Sequence, residues 1–125
     1  MTNVRIDANG LPKAPVYDAT APLQHRSAVT VVDASDPAES AGIDTAGYQE
    51  CRLDLDLSGV AVTSLEVQAI FWNSRQSLWF GGGTRSFSST GQHSLVVPCR
   101  GQKLFLKVTG FVGTSFSLDV DYALS

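Results

Sequence analysis

Residues 115–123 read SFSLDVDYA, and their order decides the fold. Phe116, Leu118, Val120 and Tyr122 occupy one parity, while Ser117, Asp119 and Asp121 occupy the other. Successive side chains of a strand point to opposite faces, so this period of two predicts a strand with one face in a core and one in water. Immediately upstream, KLFLKVT (103–109) sets Leu104, Leu106 and Val108 against Lys103, Lys107 and Thr109, with Phe105 the one large apolar residue on the polar parity. The connection GFVG (110–113), bracketed by Gly110 and Gly113, predicts an antiparallel hairpin between the two runs. In that register Lys103 stands opposite Asp121 and Lys107 lies diagonal to Asp119, opposite-charge pairs worth roughly a few tenths of a kcal/mol each.

Further out the same alternation recurs. CRLDLDL (51–57) sets Cys51, Leu53, Leu55 and Leu57 against Arg52, Asp54 and Asp56. After the turn SGVAVT, SLEVQAIFW (64–72) places Leu65, Val67, Ala69 and Phe71 on one face, with Ile70 and Trp72 interrupting the other. AVTVVD (28–33), SLWF (77–80), TRSFS (84–88) and HSLVVP (93–98) complete a set of about eight strands at the spacing of a sandwich or barrel. No long window holds a helical period with caps, so the reading is all-β: a single antiparallel β-sandwich, jelly-roll-like. Asp54 and Asp56 point outward, as do Asp119 and Asp121; direct pairing of their strands would crowd four acids on one face, which speaks against it.

The first 27 residues break the pattern. They carry Pro12, Pro15 and Pro22, few large apolar residues and no alternation, so residues 1–27 read as an extended N-terminal arm and 28–125 as the sandwich domain. Such an arm is expected to lie along its own sheet or along another subunit. The loop DASDPAESAGIDTAG (33–47) is acidic, small and irregular; Asp33, Asp36, Glu39 and Asp44 lack the glycine-centred calcium-loop pattern and read as solvated acids. With 125 residues, one core is expected. Charged residues make up 17%, net charge is −3 and no Lys/Arg run could neutralise phosphates, which argues against direct nucleic-acid binding. No apolar stretch is long enough for a membrane span, and MTNVRIDANG has no signal-peptide pattern, so synthesis in a cytoplasm is the expectation. Cys51 and Cys99 then read as buried free thiols in preference to a bridge.

FWNSRQSLWFGGGT (71–84) is the most chemically conspicuous stretch. Its simplest reading is a strand, a turn at Asn73 and Ser74, a short strand and a glycine corner, with the aromatics packing the core or covering a sheet end. Two functional readings compete: Trp72 and Trp79 beside Arg85 and Asn73 as an exposed platform gripping a neighbouring chain, or the same platform stacking on a sugar. GGGT lacks the phosphate-loop pattern. His25 and His93 belong to no nucleophile motif, and two His with two scattered Cys do not match zinc spacing. No catalytic residue, metal or cofactor is expected, and the chain reads as a non-enzyme.

LEVQAIFWNS (65–74), TGQHSLVVPC (90–99) and GQKLFLKVTGFVGTSFSLDVDYAL (101–124) resemble the small β-sandwich structural proteins of tailed bacteriophage virions, the capsid decoration and head–tail or tail accessory type. The resemblance implies a virion protein, assembled in the host cytoplasm, that binds capsid or tail subunits and forms a homo-oligomer, with an extended terminus gripping a neighbour. Val16, Tyr17 and Leu23 are the expected arm anchors, and Trp72, Trp79 and Arg85 the expected contacts on the body. The alternative is a carbohydrate-binding sandwich module that uses Trp72 and Trp79.

Overall fold

Leucine-rich alternation gives two sheets whose apolar faces meet. The computed structural model describes residues 23–125. Within them seven strands run antiparallel: β1 (Leu23–Val29), β2 (Glu50–Val60), β3 (Ser64–Asn73), β4 (Leu78–Phe87), β5 (Gly91–Pro98), β6 (Leu104–Val112) and β7 (Ser115–Leu124). One sheet has the order β1-β7-β2-β5 and the other β4-β3-β6. Leu53, Leu55 and Leu57 of β2, Leu118 and Val120 of β7, Leu65 and Val67 of β3 and Leu104, Leu106 and Val108 of β6 fill the space between them, all 2% exposed or less. Each buried leucine contributes about 1.5–3 kcal/mol, and these positions are the alternating ones of the sequence.

The expected hairpin of 103–109 with 116–122 does not form. β6 pairs with β3 and β7 with β2, so Gly110–Gly113 carries the chain from one sheet to the other. It crosses beside the β2–β3 connection: Thr114 N–H donates to Val60 O (3.1 Å) and Thr63 N–H to Val112 O (2.8 Å). Gly113 sits at φ 151°, and a Cβ there would stand 2.5 Å from Ala61 O. Glycine is required by this close approach of two arches. The pairings expected of Lys103 and Lys107 fall with the hairpin.

β2 and β7 do pair directly, against the electrostatic expectation: Asp54 faces Asp121 and Asp56 faces Asp119. Like charges opposite each other cost about 0.2–1 kcal/mol a pair, less than the burial of one leucine. The acids are also partly compensated. Arg52 Nη2 donates to Asp54 Oδ2 (3.3 Å), and Ala28 N–H donates to Asp119 Oδ1 (2.7 Å).

SLWF and TRSFS are one strand, so the described residues hold seven strands where about eight were expected, and Leu23–Ser27 of the expected arm already stand in β1. The strand order is that of a jelly roll lacking the strand that would follow β1 and flank β6. Residues 30–47 take that place as an irregular strap. Asp33 N–H donates to Val108 O (2.9 Å) while Asp33 Oδ2 accepts from Val108 N–H (2.8 Å), and Ile43 exchanges both backbone bonds with Leu104 (2.6 and 3.1 Å). Between them His25 Nε2 accepts from Leu106 N–H (3.3 Å) and Arg26 Nη1 donates to Leu106 O (3.3 Å). The outer edge of β6 is thereby satisfied at three successive positions.

Candidate functional site

The apolar residues that break parity in the sequence, Ile70, Trp72 and Phe105, share the outer face of the three-stranded sheet with Trp79. Ile70 pairs with Phe105 and Trp72 with Trp79 across the strands. The strap covers this face, which is why Ile70 and Phe105 are 3% and 5% exposed. Trp79 donates its indole N–H to Pro37 O (2.8 Å), meets Trp72 edge-on (5.3 Å, 71°) and leans on Phe105 (6.2 Å). The loop acids expected to be solvated fasten the strap: Asp33 to Arg26 (2.6 Å), Asp36 to Lys107 (2.9 Å) and Glu39 to Lys103 (3.2 Å). Each such partly exposed pair is worth roughly 0.2–1 kcal/mol. Burial would raise the Asp33 carboxyl, but hydrogen bonds from Arg26 and Val108 N–H and the charges of Arg26 and Lys107 hold it below the usual carboxylate range. His25, edge-on to Phe105 (5.1 Å) and Tyr122 (6.4 Å), is pushed down to about 4 by burial and by Arg26, with Asp33 opposing.

The other side of the sandwich is built differently. β4 and β5 end their respective sheets on this side, and among the described residues no backbone group pairs with the outer edge of either. Gly81–Gly83 form no corner; β4 runs through them with a bulge opposite Ala69. A Cβ on Gly82 would stand 2.8 Å from Ala69 O and 3.0 Å from the Phe71 ring, so glycine permits close packing here, and none of the three has positive φ. Phe80 pairs with Phe71 and Arg85 with Val67, which places both on the core-side face of β4. Yet Phe80 is 47% exposed and Leu78 55%, because the four-stranded sheet leaves this margin uncovered. An apolar groove of about 320 Å³ results, with Ala69 and Phe71 as floor, Leu95, Val97 and Pro98 as wall and Arg85 at the rim. Arg85 lies over Phe87 (5.7 Å), and Val96, 57% exposed, continues the apolar margin onto the outer face of β5.

Of the expected contacts, Trp72 and Trp79 are therefore together and half-buried, and Arg85 stands apart from them on the opposite face of the sheet. Leu23 is an exposed residue at the start of β1, paired with Tyr122. Val16 and Tyr17 lie outside the described residues. Sequence reasoning passed over Leu78, Phe80 and Val96; the signal available was a glycine triplet inside an apolar run, the mark of a bulged edge strand.

Cys51 and Cys99 are free and buried, and burial with the nearby Cys99 pushes the Cys51 thiol up to about 12. His93 meets Ser89 O (2.8 Å) and the Phe87 ring (4.4 Å). Among the described residues no group of three His, Cys, Asp or Glu side chains is arranged to hold a metal ion, and no helix is long and apolar enough to cross a membrane.

No protein-family model and no curated protein matches the chain. Among solved structures, the crystal structure of SPBc2 prophage-derived protein YomS is similar at 14% identity and a TM-score of 0.48, over 84% of this chain and 92% of that one.

Proposed function

We propose that the chain is a non-enzymatic structural protein of a virion, a decoration or accessory component assembled in the host cytoplasm, which joins capsid or tail subunits and copies of itself through its β4–β5 side. The observation that carries this reading is the contrast between the two sides of one sandwich. On the β6 side each backbone group of the edge at 104, 106 and 108 is satisfied by the strap or by β1. On the β4–β5 side two strand edges flank an apolar groove rimmed by Arg85 and lined in part by Val96, with Leu78 and Phe80 exposed on β4. An unprotected strand edge is a template for pairing with another chain, and natural monomers blunt such edges. A segment from a neighbouring subunit that adds to β4 would gain backbone hydrogen bonds from the edge and specificity from side chains entering the groove. The scarcity of charge on the chain, 17% of residues, suits a surface packed against neighbours.

The test uses particles purified from a lysate of the host that carries this sequence. Mass spectrometry should find the chain in them at stoichiometric copy number. The double variant Phe80→Lys/Val96→Lys, both exposed positions, should keep the wild-type circular dichroism and melting temperature but fall at least about tenfold in particle incorporation, since two charges must be desolvated at the interface. Absence of the chain from particles rejects the virion reading; undiminished incorporation of the variant rejects this surface.

A further inference from the structure

We infer that the cleft beside Trp72, at the end of the sandwich formed by the β3–β4 turn and the β5–β6 connection, is a binding site for a neutral saccharide. It lies on the outer face of the three-stranded sheet, whereas the β4–β5 groove opens on the core-side face, so the inference goes beyond the assembly role and does not depend on it. The cleft measures about 460 Å³, within the range of small-molecule sites, and is lined by Trp72, Asn73, Arg75, Gln102, Lys103 and Asp44.

Three features select the ligand class. First, the aromatic wall is held in place before anything binds. Trp72 rests edge-to-face on Trp79, and Trp79 is pinned by its hydrogen bond to Pro37 O and by Phe105. A rigid indole offers apolar area with little ordering entropy to lose. Second, the formal charges of the lining cancel: Arg75 and Lys103 stand against Asp44 and Glu39, and Lys103 is already paired to Glu39 (3.2 Å). A phosphate or sulfate ligand calls for a surplus of cations and a metal for a surplus of acids. Third, donors and acceptors are interleaved. Asn73 Oδ1 accepts from Gln76 N–H (3.1 Å), which leaves its NH₂ to donate; the Arg75 guanidinium and the Gln102 amide, both exposed, add further donors. The Asp44 carboxylate, with one oxygen bound to Ala46 N–H (3.1 Å), and the Gln102 carbonyl supply acceptors. Each sugar hydroxyl both donates and accepts, and the C–H face of a pyranose is apolar, so one ligand uses the indole and both kinds of polar partner. A purely apolar ligand would bury those polar groups unpaired.

The experiment is a glycan array holding neutral and acidic oligosaccharides, probed with the full-length protein, followed by calorimetric titration of the best neutral oligosaccharide. Arg75→Ala/Gln102→Ala changes two exposed side chains, keeps the fold and should weaken binding roughly tenfold through the loss of two hydrogen bonds. Trp72→Ala should weaken it by about tenfold or more; should that variant fail to fold, the exposed pair decides. Phe80→Lys on the assembly side should leave sugar affinity unchanged, so that loss of assembly and loss of sugar binding are read separately. No binding to neutral glycans, binding confined to acidic ones, or neutral-glycan binding indifferent to Arg75→Ala/Gln102→Ala would each overturn the inference.

Discussion

His25 is the residue on which the sealed side of the molecule turns. Its Nε2 accepts the Leu106 amide (3.3 Å) between two aromatic rings, with Arg26 and Asp33 beside it, and a proton on that nitrogen would remove the acceptor and set two cations side by side. Burial and Arg26 lower its pKa from 6.5 to about 4. The folded chain thus binds fewer protons than the unfolded one between these values: the contribution to stability is complete above pH 6.5 and is lost as pH falls towards 4. Asp33 works in the opposite sense to a raised group, with stability present above its ordinary value of 3.8 and lost only as pH falls further, so the two windows separate. Denaturant unfolding at pH 7.5 and 4.5 should show a loss on the order of 2 kcal/mol for the wild type that His25→Gln, which keeps an acceptor but cannot titrate, largely abolishes. An equal loss in both proteins would assign the pH dependence to other groups.

At the scale of the strand, the packing of apolar faces outranks the charges they carry outward. β2 and β7 lie side by side because Leu53, Leu55 and Leu57 and Leu118 and Val120 belong to one core, although this sets Asp54 against Asp121 and Asp56 against Asp119. Asp56→Asn should therefore raise stability by roughly 0.2–1 kcal/mol in low salt, with the gain fading in 1 M NaCl as screening weakens the repulsion; a loss of stability would show that the acids are held by attractive partners. The core-facing parity of β2, β3, β6 and β7 was legible in the sequence because a period of two is local information. Which strands pair was not, since alternation is the same in a hairpin and in an arch that changes sheets. Phe105, Ile70 and Trp72 advertised a second apolar surface by breaking parity, but what covers it, an acidic strap that replaces a jelly-roll strand, depends on Lys103 and Lys107 finding Glu39 and Asp36 across more than sixty positions. The Trp72–Trp79 contact was legible from a turn between two apolar runs. The groove over Ala69 and Phe71 was not, because it lies between β4 and β5, strands of two different sheets whose approach no local pattern fixes.

Over the whole molecule these choices give a sandwich with one side closed and one side open. β1 and the strap seal the flank at β6; β4 and β5 leave two edges and an apolar groove on the flank opposite. On the proposed assembly role, a neighbouring chain completes that flank as the strap completes the other, and the cleft beside Trp72 remains available to solvent at the sandwich end. Amide hydrogen exchange, compared between the free chain and purified particles that contain it, tests this most directly. Amides of β4, residues 78–87, should exchange at least about a hundredfold more slowly in particles, while those of β6 at 106 and 108, already bonded within the chain, should change little. Unaltered exchange along β4 and β5 in particles, with new protection confined to other strands, would contradict the account.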